Sequence, residues 1–198
     1  MHLTSLLLLP LALAAPSTDV TKRTVGVWKS TLYPNYLNIV KQETPDAKVC
    51  TGYTGQVNWS GPGTTNEIRL FVGFDVPAGA GNTCFIKFEL PKKVPYAYEW
   101  TVLGPGKIDV WSLKNPFVNC QVSWNNRPEK VPGPAFQITQ PSGPNGGKAT
   151  VTGAGIPCKK GQRQDFELTI RADNLPGFFD WYELNDPVAG ITLQTWNY

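Results

Sequence analysis

EIRLFVGFDV, residues 67–76, sets Ile68, Leu70, Val72 and Phe74 on one side of an extended chain. Side chains of a strand alternate between its two faces, so a period of two over this length reads as a half-buried strand. Residues 84–90, CFIKFEL, repeat the pattern, with Cys84, Ile86, Phe88 and Leu90 inward and Phe85, Lys87 and Glu89 outward. Near the end of the chain, Ile191, Leu193 and Thr195 oppose Thr192, Gln194 and Trp196. FVNCQVSW at 117–124 alternates, as do the runs at 135–140, 148–153 and 164–171. Residues 98–103 and 107–113 flank Gly104-Pro105-Gly106 and predict a hairpin. Residues 25–56 hold two or three further strands or an irregular cover. The 19 Gly and 18 Pro fall between these runs, and no segment has a convincing helical period. The expectation is an all-β, antiparallel β-sandwich of roughly nine to twelve strands, stapled by disulfides. Clean alternation predicts one wet face on each sheet. The proline-rich stretches at 125–134 and 141–147 are expected to connect the sheets.

The N-terminus carries a different signal. LTSLLLLPLALAA, residues 3–15, is an apolar run too short to span a bilayer and ends in the small-x-small pattern Ala12-Leu13-Ala14. Residues 1–15 are therefore expected to be a secretory signal peptide. Residues 16–23 form a possible propeptide ending in the dibasic pair Lys22-Arg23, with 24–198 as a single β-sandwich domain. No hydrophobic tail follows GITLQTWNY, so no membrane anchor is expected. Loss of Asp19, Lys22 and Arg23 would lower the formal net charge from +3 to about +2. That is too weak, with no basic stripe, to point to nucleic acid.

Secretion gives the four cysteines a meaning. An even count and an oxidising route predict two disulfides. Cys84 and Cys158 each precede a strand of similar pattern, which favours Cys84 with Cys158 and leaves Cys50 with Cys120. Asn58-Trp59-Ser60 is an N-glycosylation sequon in the turn-rich QVNWSGPGTTN, so Asn58 is expected in an exposed loop.

His2 is the only histidine, and it would leave with the signal peptide. A chain without histidine has no Ser-His-Asp or Cys-His mechanism and none of the usual imidazole metal sites. Paired cysteines remove thiolate chemistry as well. Carboxylates alone could run glycoside hydrolysis, which needs two of them about 5–10 Å apart. Glu89, Glu167 and Asp109 sit on strands, but no spacing singles out a pair, and each reads as a solvated face residue. No catalytic residue, metal or cofactor is assigned.

Seven tryptophans offer another handle, because amphipathic rings suit sugar-binding interfaces. The densest group is Phe178-Phe179-Asp180-Trp181-Tyr182. Neighbours on an extended chain cannot share a side, so some of these rings must pack inward. Phe178, Trp181 and Tyr182 are the candidate binding residues. Asp180, Glu183 and Asp186 beside them could offer oxygens to calcium, although a surface acidic turn explains them equally well.

FDVPAGAGNTCFIKFELP (74–91), GIPCKKGQRQDFELTI (155–170) and DWYEL (180–184) together resemble the ubiquitin 3 binding protein C-terminal domain family. The resemblance covers roughly residues 65–198 and implies a β-sandwich among small secreted fungal proteins, with no catalytic residues to carry over. The family name implies a cytosolic partner, at odds with residues 1–15. The favoured expectation is a secreted, wall-associated or extracellular monomer that is not an enzyme and binds glycan or protein. A carboxylate-based polysaccharide hydrolase or lyase, and a structural wall or effector-like protein, are the alternatives.

Overall fold

A computed structural model describes residues 25–93, 99–141 and 145–198. The apolar run at 3–15, the Lys22-Arg23 pair, Tyr98 and residues 142–144 of the second proline-rich stretch lie outside them. The described residues contain no helix and sixteen strands. In chain order these are β1 (Val27–Leu32), β2 (Tyr36–Lys41), β3 (Val49–Thr51), β4 (Thr54–Trp59), β5 (Ile68–Asp75), β6 (Thr83–Leu90), β7 (Thr101–Leu103) and β8 (Lys107–Ser112). They continue as β9 (Phe136–Thr139), β10 (Gly147–Lys148), β11 (Thr150–Thr152), β12 (Ile156–Pro157), β13 (Arg163–Ala172), β14 (Gly177–Tyr182), β15 (Leu184–Asn185) and β16 (Val188–Asn197). Three of them are two-residue ladders, too short to leave a period in the sequence.

Every strand pairing is antiparallel. A small sheet runs β1-β16-β6, with β10 and β12 on the far edge of β6 and β15 on β16. A large sheet runs β11-β9-β8-β13-β5-β4-β14-β7, with β2 on β5 and β3 on β2. The predicted inward rows meet between them. Cys84, Ile86, Phe88 and Leu90 of β6, and Ile191 and Leu193 of β16, pack with Leu70, Val72, Phe74, Phe166, Leu168, Phe179 and Trp181 in one buried core. Both disulfides form as expected, Cys84–Cys158 and Cys50–Cys120. The first ties β6 to the segment after β12; the second ties β3 to the loop after β8.

Four local expectations change. Gly104-Pro105-Gly106 does not close a hairpin, because β7 pairs with β14 while β8 pairs with β13 and β9. Gly104 turns with φ +77° against the Pro176 carbonyl, and Gly106 N donates to that carbonyl at 2.9 Å. The alternating 117–124 run forms no strand. Asn38, fully buried on β2, accepts from Cys120 N at 2.7 Å and donates to Asn119 at 2.8 Å, holding the run as a loop. This loop presses Phe117 and Val122 onto Val40 and Phe71. The large sheet is thus covered on both sides there, and Phe71, outward by alternation, is fully buried. The 125–134 stretch joins β8 to β9 within one sheet rather than linking the two sheets, and bridges back through Leu113 and Lys130.

Candidate functional site

The outer face of the small sheet is built from the outward rows of its three long strands. Register places Trp196 opposite both Trp28 and Thr83, Gln194 opposite Thr31 and Phe85, and Thr192 opposite Lys87. Residues opposite one another in a ladder point to the same side. Trp28 and Tyr198 are 52 % and 56 % exposed, and Trp196 and Phe85 are half-buried. The Tyr198 ring centroid lies 5.9 Å from that of Phe85 and 6.4 Å from that of Trp196. A Cβ on Gly26 would strike the Tyr198 ring, and one on Gly155 would strike Phe85, so both rings lie close over glycine backbone. Asn82 clamps the chain end, donating to the Tyr198 carbonyl at 3.4 Å and accepting from Tyr198 N at 3.3 Å. The result is a platform in which Tyr198 bridges Phe85 and Trp196, with the more exposed Trp28 beside Trp196 in the ladder.

Beside the rings, the same face dips into a recess of about 490 Å³ where the polar groups of Thr31, Tyr33, Lys87, Glu89, Lys148 and Gln194 stand among the apolar Phe88, Ala149 and Val188. Lys148 stands opposite Glu89 across the β10–β6 ladder. Stacking rings followed by hydroxyl, amide and charged groups suit a ligand with apolar faces and a hydroxyl-rich rim.

The sequence-predicted group divides differently. Residues 177–182 form β14, and alternation sends Phe179 and Trp181 inward and Phe178, Asp180 and Tyr182 outward. Trp181 is 1 % exposed; its ring lies on Gly55, where a Cβ would collide with it. Phe178 and Tyr182 share the outer face of the large sheet, so the three candidates do not form one surface. Glu183 turns inward, where it accepts from Trp181 Nε1 at 2.6 Å and from Ile191 N at 3.1 Å. Desolvation pushes its carboxyl up to about 8, against the pull of those two donors. Asp180 faces the other way, and among the described residues no group of three metal-ligating side chains converges. Asn58 is not in a loop: it sits half-buried on β4 and donates to the Asn66 carbonyl at 2.8 Å.

The strand carboxylates also differ from solvated face residues. Glu167 is 1 % exposed, and its oxygens pair with Arg69 at 2.7 Å and Lys130 at 3.3 Å. Arg69 also holds the buried Glu67 at 2.7 Å and lies 4.7 Å from the Trp124 ring centroid. Burial works against the Arg69 charge, but Glu167 and Glu67 outweigh it and raise its pKa. Asp109 is buried beside Gln137. These groups cross-link strands under the 113–134 cover. Only Glu89 reaches the recess.

Fold and face together define a disulfide-linked, two-sheet β-sandwich whose small sheet carries an aromatic platform. Residues 32–185 match the family model described as Ubiquitin 3 binding protein But2 C-terminal domain, and the chain belongs to that family. The match begins earlier than the quoted motifs, taking in β2–β4, and stops before β16. A search of curated proteins finds no match. Trp28, Trp196 and Tyr198 fall outside the matched residues, whereas Phe85 and most of the recess fall within them.

Proposed function

We propose that this chain is a non-catalytic binding module that acts outside the cell and takes carbohydrate on the outer face of its small sheet. The observation that carries the reading is the juxtaposition of Trp28, Trp196, Tyr198 and Phe85 with the recess at Lys87, Glu89 and Lys148. Sugar rings offer C–H faces to stack on such a platform and hydroxyls for the recess. Two disulfides suit an oxidising compartment, in keeping with the leader at residues 1–15. A protein partner is the second reading, favoured by the family description, which names a ubiquitin-3-binding protein.

The test presents the purified, disulfide-intact chain to a glycan array and to insoluble wall polysaccharides, with mass spectrometry of the supernatant. Saturable binding without released products is expected. Trp196→Ala and Trp28→Ala should each weaken it at least about tenfold, the effect of losing roughly 1.4 kcal/mol, with the thermal midpoint little changed. Released products would make the chain a hydrolase or lyase. No retention on any glycan, with capture by an immobilised ubiquitin-type protein, would establish the second reading instead.

A further inference from the structure

On the far side of the sandwich, the outer face of the large sheet carries a shallow apolar depression of about 470 Å³ lined by Asn58, Trp59, Leu103, Pro176 and Phe178. Register sets Asn58 opposite Phe178 and Phe178 opposite Leu103, so amide, ring and alkyl group form one row across β4, β14 and β7. Leu103 is 60 % exposed. Three adjoining strands thus put apolar surface beside the one side chain that the sequon Asn58-Trp59-Ser60 marks for modification. The Asn58 side chain donates to Asn66, and Asn66 Nδ2 in turn donates to Ser60 Oγ at 2.8 Å, fixing the amide at the rim of the depression.

We propose that Asn58 carries an N-linked glycan whose first N-acetylglucosamine folds back over Phe178 and Leu103 and covers this depression. In the transfer, Asn58 Nδ2 gives up one proton and bonds the anomeric carbon of a lipid-diphosphate-linked oligosaccharide, while the C–O bond to the diphosphate breaks and the lipid diphosphate leaves with the bonding pair, the proton passing to solvent. One N–H remains, enough to keep the bond to Asn66. The pyranose ring then lays C–H groups on the Phe178 face. Its attachment to a half-buried strand residue restricts it to this surface. The glycan lies on the sheet opposite the aromatic platform, so the two surfaces do not compete.

The test is a cycle of four proteins, each the full chain. Wild type and Phe178→Ala are produced in a glycosylating secretory host and trimmed by an endoglycosidase to one N-acetylglucosamine. The same two are produced without glycan in a bacterial periplasm. Intact mass should show Asn58 occupied, and the single sugar should raise the wild-type melting midpoint by about 2–4 °C. In Phe178→Ala that increment should vanish. An unoccupied Asn58, no increment in wild type, or an equal increment in both backgrounds overturns the proposal. Should Phe178→Ala fail to fold, Leu103→Ser completes the same cycle.

Discussion

Phe88 of β6 meets Trp181 of β14 edge-to-face, with ring centroids 5.0 Å apart and planes at 87°. The same Phe88 ring also stands edge-on to Phe179, at 6.3 Å. These contacts join the centre of the small sheet to the large one. Trp181→Ala should therefore destabilise the fold by about 3–5 kcal/mol. A Phe88/Trp181 double-mutant cycle should return a coupling of about 0.5–1.5 kcal/mol. Tyr182→Ala, on the outer face, should cost less than about 1 kcal/mol. Urea unfolding measures all three; a Trp181→Ala cost as small as that of Tyr182→Ala would count against the packing.

Glu183 gives stability a pH dependence of defined sign. Its folded pKa, about 8, lies above the ordinary value of 4.5, so the folded chain keeps a proton that the unfolded chain releases. The stabilisation is complete below pH 4.5 and declines as pH rises to about 8. Melting midpoints should fall across that window in wild type. Glu183→Gln keeps an acceptor for Trp181 and Ile191 but cannot ionise, so its profile should be flatter. Parallel profiles would assign the slope to other groups. Gly190, with φ +90° and no room for a Cβ beside Glu183, should not tolerate Ala.

Removing Arg69 should be costly for an electrostatic reason. Arg69→Ala leaves Glu67 and Glu167 buried with a lost partner, and breaking a buried pair from one side costs about 3–5 kcal/mol. Arg69→Met combined with Glu67→Gln and Glu167→Gln should recover much of that loss. Guanidinium-induced unfolding of the single and triple variants decides; an equal or larger loss in the triple variant would show that the charges themselves stabilise the fold.

The disulfides should open in order. Cys50 is exposed and Cys84 fully buried, so a mild reductant should open Cys50–Cys120 first in the folded protein. Each link closes a loop of seventy or more residues (separations 70 and 74), for which unfolded-chain entropy gives about 4 kcal/mol. Peptide mapping after timed alkylation would reveal the order, and simultaneous reduction would contradict it.

Much of the fold was legible because a strand buried on one face must alternate. The inward rows at 68–74, 84–90 and 190–196 match the core, and the disulfide pairing inferred from strand context is the one observed. Where a second layer covers a sheet, alternation loses its meaning: Phe71 and Glu167 look outward in sequence yet are buried under the 113–134 segment. The 117–124 run shows the same failure, since its period is satisfied by a loop pinned through Asn38 and Cys120.

The sequence by itself determined which residues of β6 and β16 face out: Phe85, Lys87 and Glu89 on one, Thr192, Gln194 and Trp196 on the other. A period of two is a local property, and local sequence suffices to set it. Only the tertiary structure decided that these strands, nearly a hundred residues apart, are neighbours in a register that sets Gln194 against Phe85 and brings Trp28 and Tyr198 to the same rings. It also decided that Trp181 belongs to the core, because residues 178–182 carry rings on both faces of their strand, and sequence alternation does not choose between two aromatic faces until a second sheet buries one of them.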